Sequence, residues 1–529
     1  MTPTTIAPTT TSERIQTIDI LRGFALLGII IINFTVDAAY GSPSDGWTGF
    51  ADQTVYWSIR FLMDDRFQTI FCFLFGLGFA IQAQRAEERN APFTFIFLRR
   101  MLGLFLIGCA FHIFFRWSLS VLPFYAIIGL WLLLFRKIPA KFLPLLAIFF
   151  FCLAFTADSL MKNDNTSEVK IAASTTFKVD STILDKYVGV YQNPQNQRVI
   201  IMRNGDSLIG ESPTKHFNLA PLSDSQFFRQ EMNTEYTFMK SSSGDVDSFK
   251  VVYVPTGQTF FFKRIETDLQ GALKQQLESR ADAIKGLTAT QTYWQLVKVK
   301  FDGTLTWLKT FPWQKFLWKG NYEVGYILVL FILGLYAGRK KMFFNVASNR
   351  QFFVKVLKWG LIVGTPLIIF STAFDIWNFS RGISYWDPPS KLLKALFHLI
   401  WFVEVTSLSL SYIAGLTLFL ENESWKKRLS FFAVVGRLGL TNFGLHLLAY
   451  TLIFERVEGL WGLDGKVGSL YRLLIAIIVY GLLYFFSHWW LSRFTMGPFE
   501  WLWRSMTYWK WQPMKKKEII QSTETSLLK

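Results

Sequence analysis

Residues 18–36 read IDILRGFALLGIIIINFTV, and this stretch decides the fold class. Its two charges, Asp19 and Arg22, fall near one end, and the remainder is almost wholly aliphatic. As a helix rising about 1.5 Å per residue it reaches across most of a hydrocarbon core of roughly 30 Å. A polar, Thr-rich tail precedes it and no small-residue cleavage site follows, so the helix is expected to stay as an anchor.

Working outward, comparable runs occur at Phe67 to Gln82, Met101 to Phe115, Val121 to Phe135 and Phe142 to Phe155. After a polar insert they resume at Tyr322 to Ala337, Val356 to Ile376, Leu396 to Phe419, Phe431 to Phe454 and Leu470 to Trp490. The sequence therefore predicts an all-α polytopic membrane protein of about ten transmembrane helices. A chain that is 51% apolar and 17% aromatic carries more apolar surface than one water-soluble core takes up, so the lipid bilayer is its first partner. Several early runs are shorter than the ~20 residues of a full span and must borrow flanking aromatic and basic residues.

The formal charge of +17 sits in short clusters at the ends of apolar runs, not along one polar face. That is a topology signal and argues against a nucleic-acid partner. Arg85, Arg89, Arg99 and Arg100, then Arg136, Lys137 and Lys141, alternate with an acidic segment holding Asp37, Asp45, Asp52, Asp64 and Asp65. Arg339 to Lys341, Lys426 to Arg428 and Lys515 to Lys517 continue the pattern. With basic loops inside, both termini lie in the cytoplasm of a bacterial inner membrane, and residues 158–320 lie outside.

The insert reads as strands joined by turns: Val199 to Arg203, an Asn204-Gly205 hairpin cue, Ser207 to Gly210, Phe249 to Val254, and Thr259 to Ile265. The expected divisions are a membrane half at 1–157, a linker at 158–182, an extracytoplasmic β-barrel-like domain at 183–266 and a helical and interfacial linker at 267–320. A second membrane half at 321–495 and an aromatic, basic tail at 496–529 complete the chain. Gly334 with Gly338, and Gly360 with Gly364, are spaced to let helix backbones approach closely.

IDILRGFALLGIIIINF from Ile18, RFQTIFCFLFGLGFAIQ from Arg66, RRMLGLFLIGCAFH from Arg99 and GPFEWLWRSMTYWKWQPM from Gly497 together resemble the YeiB-like family of bacterial membrane proteins of unknown function. Through the Arg-Gly opening the first helix and a polar residue eleven positions on, that family is distantly similar to the integral-membrane acyltransferase superfamily. The superfamily includes heparan-α-glucosaminide N-acetyltransferase and sugar O-acetyltransferases of bacterial envelopes. The insert, with LDKYVGVYQN from Leu184 and a closing FFFKRI, is similar to a small lipocalin-like β-domain found in β-lactamase-like proteins.

The superfamily resemblance implies that Arg22 meets the phosphates of an acyl-coenzyme A co-substrate, a task suited to a planar, permanently charged donor. Read from the residues alone, Arg22 is equally a topology anchor paired with Asp19 three residues earlier. Asn33 lies eleven residues on, near the outer end of the same helix, where it orients a carbonyl or an acceptor. The O-acetyltransferases carry histidine there, and an amide cannot take a proton at neutral pH. His112 is the general-base candidate, with capping at the membrane surface as the structural alternative. Ser120 stands where the family often has an acidic residue, which leaves Glu404 or Glu455 to orient that imidazole from another helix.

His398, Glu404, Arg437, Asn442 and His446 are further polar groups within spans, a placement that favours a bundle interior or aqueous cavity. Arg437 joins Arg22 as an anion-binding candidate. His446 stands where the family favours glutamine and is read as a replaceable hydrogen-bonding residue. Gly497 to Trp511 is read as an interfacial anchor. Cys72, Cys109 and Cys152 each lie in an apolar run and are expected to be buried thiols; no metal spacing or bound cofactor is predicted.

The leading expectation is transfer of an acyl group from cytoplasmic acyl-coenzyme A to an outward hydroxyl or amine in the cell envelope. A small-solute transporter is the runner-up, because five spans followed by five of opposite sense is the arithmetic of an inverted repeat and Gly364-Thr365-Pro366 would break span seven. A non-enzymatic envelope anchor or signalling protein is the third reading.

Overall fold

The computed structural model describes residues 15–36, 49–115, 121–161, 179–194, 198–204, 207–212, 216–229, 234–241, 245–253, 258–275, 292–310, 322–380, 391–455 and 460–515. Two compact units emerge: one holds the helices on either side of the insert, and the other holds residues 162–291 together with 385–394.

In the first unit the apolar runs all fall on helices. They are α1 (Gln16–Thr35), α3 (Arg66–Glu88), α4 (Phe93–Phe114), α5 (Val121–Gly129) with α6 (Trp131–Phe135), α7 (Leu143–Met161), α9 (Tyr322–Arg339), α10 (Arg350–Ser380), α11 (Lys391–Phe419), α12 (Ser430–Arg437) with α13 (Gly439–Phe454), and α14 (Ser469–Arg493). Helices outside these runs include α2 (Phe50–Met63), α8 (Tyr293–Thr310) and α15 (Pro498–Tyr508). Among the described residues six helices are long and apolar enough to cross a membrane, or seven if the bent pair α12–α13 is one span. Residues 121–135, 140–153 and 324–339 are apolar but shorter. The reason α9 can be short is that its centre, Tyr326 to Ile332 with Leu335, is buried in protein and needs no lipid-matched length.

Small residues let these helices approach. A Cβ on Gly334 would overlap the carbonyl oxygen of Phe73 on α3, and one on Gly360 would overlap Ser411 and the Ser407 carbonyl on α11. The expected break at Pro366 is absent: α10 runs through it for 31 residues. The break lies instead between α12 and α13, whose axes differ by 83°. Of the cysteines Cys72 and Cys109 are buried, whereas Cys152 on α7 is exposed, a correction to the expectation of three buried thiols.

The second unit is a closed antiparallel barrel, β1 (Gly189–Gln192), β2 (Arg198–Asn204), β3 (Ser207–Glu211), β4 (His216–Pro221), β5 (Gln226–Arg229), β6 (Thr234–Lys240), β7 (Val246–Tyr253) and β8 (Gln258–Ile265), with neighbours in chain order. Asn204 pairs with Ser207, the register of a two-residue hairpin. Tyr187, Tyr191, Phe217, Phe227, Phe238 and Phe249 fill its interior. Aromatic rings so disposed make a packed core, unlike the ligand-holding lipocalin interior.

Candidate functional site

Arg22 enters the site from the second turn of α1, held by Asp19 at 3.2 Å one turn earlier. It lines a cavity of 370 Å³ together with Arg85, Arg89, Arg100, Arg437 and Arg504. Against these six arginines the lining holds two acids, Asp19 and Glu500. The deeper walls are apolar and include Ile29, Phe71, Phe75, Leu104, Val121 and Phe443. Since Ile29 lies seven residues past Arg22, about 10 Å along the helix, the charged and apolar zones succeed one another along the bundle.

Two features of the C-terminal half build this cavity. The first is the break at Leu438, which directs Arg437 and the start of α13 to the lining. Among the described residues Arg437 Nε is buried with no hydrogen-bond partner. The bend is fixed by Asn442, whose amide donates to the Val435 carbonyl at 3.0 Å and to Ser487 at 2.8 Å. The second is α15, expected to be an interfacial anchor, which is a wall of the cavity. Its Glu500 carboxylate accepts from the backbone N–H groups of Leu440 at 2.6 Å and Thr441 at 3.1 Å, capping α13 from outside the helix. Trp503 Nε1 donates to the Arg100 carbonyl at 2.7 Å, and the Arg100 guanidinium lies 4.0 Å from the Trp503 ring centroid.

Arg22, Arg100 and Arg504 lie close enough to repel one another. Burial, with Arg22 adding to it, pushes the Arg504 guanidinium below its ordinary range, opposed by Tyr508 and Glu500.

Asn33 is about 6 Å further along α1 than Ile29. Its Nδ2 stands 2.9 Å from Nε2 of His446, whose ring meets the Phe443 ring edge-on at 4.9 Å. Phe443 thus lines the cavity and touches a fully buried imidazole. Because an amide nitrogen only donates, Nε2 accepts and the ring proton sits on Nδ1. The sequence reads His446 as a replaceable hydrogen-bonding residue; the structure gives it a buried partner on α1, Asn33, that sequence order does not reveal.

His112 does not join this pair. It is half-buried in the last turn of α4, outside the cavity lining. Nearby, the Lys300 ammonium of α8 donates to the Phe115 carbonyl at 3.2 Å, and Thr451 donates to the same oxygen. Burial pushes the Lys300 pKa down, opposed by Glu455. Glu404 is no partner for His112: it pairs with Arg66 at 2.7 Å, both side chains at most 4% exposed. Arg472 and Asp464 form a second buried pair at 2.5 Å that no motif had marked, although an arginine inside an apolar run was visible. His398 is half-buried two turns into α11, and Ser120 lies outside the described residues.

Comparison with known proteins agrees with this layout. Residues 14–188 match a family described as heparan-alpha-glucosaminide N-acetyltransferase, catalytic, and residues 337–510 match one described as a protein of unknown function, DUF418. The resemblance to YeiB-like membrane proteins related to acyltransferases is thereby borne out, and the barrel is consistent with the lipocalin-like likeness of the insert. More particularly, the chain is 26% identical over 528 residues to the uncharacterized protein YxaH of Bacillus subtilis (strain 168), covering 97% of this chain and 99% of that one. It is 40% identical over 131 residues to an uncharacterized 39.9 kDa protein in the amylase 3'region of Bacillus acidopullulyticus, covering 25% of this chain and 36% of that one. No solved structure matches.

Proposed function

We propose that this chain is an acyltransferase of the bacterial inner membrane that takes an acyl group from cytoplasmic acyl-coenzyme A and delivers it to an outward hydroxyl or amine of the cell envelope. The observation that carries the reading is the cavity itself: six arginines around one zone, an apolar shaft beyond it, and a buried Asn33–His446 pair past the far end. Arginine forks bind phosphates bidentately, and the apolar walls suit a pantetheine arm and acyl chain. The match of residues 14–188 to an acetyltransferase catalytic region supports the same class.

In this reading both termini are cytoplasmic, so the arginine zone faces inward. An acceptor hydroxyl displaces the Asn33 amide at Nε2 of His446 and loses its proton there. Its oxygen forms the new ester bond to the thioester carbonyl carbon as the C–S bond breaks, and the departing thiolate takes the proton from the imidazolium. Asn33, released from the ring, donates to the carbonyl oxygen. His112 serves acceptor approach from the outer end of α4.

The test is transfer of label from acetyl-coenzyme A to an envelope fraction by purified protein in liposomes. Transfer abolished in His446→Gln and Asn33→Ala but present in wild type is the expected result; absence of transfer in wild type would overturn it. The bent pair α12–α13 also favours transport, because broken helices line many transporter sites. Counterflow of a small anion that survives His446→Gln would select that second reading.

A further inference from the structure

We propose that Arg22, Arg100 and Arg504 form a binding site for a diphosphate group, and that the bound diphosphate pins α15 against the bundle. Three like charges on three different helices share one partly dehydrated space. Neither acid of the lining is free to offset them all: Asp19 is engaged with Arg22, and Glu500 is committed to the start of α13. Three guanidinium forks lining one cavity suit a polyanion, and two phosphates can bridge donors that one carboxylate cannot.

The carriers of these charges are not alike. Arg22 and Arg100 belong to long helices of the bundle, whereas Arg504 belongs to an 11-residue helix that follows the last span. That helix is attached through the Trp503 hydrogen bond, the Arg100–Trp503 stack and the Glu500 cap. Without an anion Arg504 is supported by Glu500 and Tyr508 of its own helix; in the filled site it becomes one of the attachments of α15 to the bundle. By linkage, a ligand that binds only the docked form stabilises it.

A diphosphate arrives either on a soluble carrier or on a lipid, and the apolar shaft beyond the arginines admits the tail of either. The proposal does not depend on acyl transfer: failure of label transfer with diphosphate binding intact would remove the function proposed above and leave this site standing.

The experiment uses the full-length protein in detergent with inorganic pyrophosphate, coenzyme A and farnesyl diphosphate, and sulfate at matched ionic strength as control. The readouts are Tm and amide hydrogen exchange across residues 498–508. Each diphosphate is expected to raise Tm and slow exchange there, and Arg504→Gln to weaken binding on the order of tenfold without lowering the Tm of the unliganded protein. Farnesyl diphosphate binding more tightly than coenzyme A would support the site with a lipid source, and the reverse order a soluble one. No response to any diphosphate, an equal response to sulfate, or an undiminished response in Arg504→Gln would overturn the proposal. Should Arg504→Gln fail to fold, Arg22→Gln, at a more exposed position, supplies the same reading.

Discussion

Glu500 and Thr441 stand 59 residues apart in the chain, and the carboxylate of the one accepts both the backbone N–H and the hydroxyl of the other. A helix after the last span therefore supplies the cap for a helix that begins inside the bundle. Glu500→Ala strips the acceptor from three buried donors, a loss of roughly 1–3 kcal/mol for an unsatisfied group of this kind. The expected outcome is a lowered Tm with Glu500→Gln between the variant and wild type, and equal Tm values for all three would refute the cap.

Arg66 and Glu404 are the most deeply buried ion pair described. Removing either partner leaves a buried charge and is expected to cost about 3–5 kcal/mol, whereas replacing both together with Met and Leu should restore most of the loss. Unfolding of the three variants in graded denaturant measures the coupling; additive single losses would show that the two side chains act separately.

Gly334→Leu places a side chain where the Phe73 carbonyl already lies, so the α3–α9 contact must open. Overpacking of this kind costs typically 1–3 kcal/mol. Gly481, whose Cβ position meets nothing within 4 Å, supplies the control, and Gly481→Leu should leave Tm no lower than that of wild type.

Lys300 gives a pH dependence with a definite sign. Its folded pKa lies below the ordinary value, so between the two the unfolded chain binds more protons and stability rises with pH. The Tm of wild type minus that of Lys300→Met should therefore increase as pH climbs toward the ordinary lysine range. A difference that stays flat or falls across that window would contradict the burial of the ammonium.

The apolar runs announced the helices because lipid imposes a composition that survives without tertiary knowledge, and the hairpin residues around Asn204 announced the barrel by the same local logic. Arg22, Arg437 and Asn33 were legible for a related reason: polar groups are conspicuous where the solvent is hydrocarbon. What remained hidden was pairing across the bundle. Nothing local in GPFEWLWRSMTYWKWQPM distinguishes a helix resting at the interface from one folded back to wall a cavity, since aromatic and basic residues serve both. Nor does a lone histidine in α13 reveal that its partner lies 413 residues earlier. The pairing of Glu404 with Arg66 joins two helices 338 residues apart in the chain, a contact that sequence order does not fix.

Four of the six cavity arginines fall within the segment matched to the acetyltransferase family, and two, Arg437 and Arg504, fall within the segment matched to DUF418. The two family descriptions thus each cover part of the lining of one cavity. A description attached to either half covers a fraction of that lining, and neither half, produced without the other, would present the charge that the whole chain gathers.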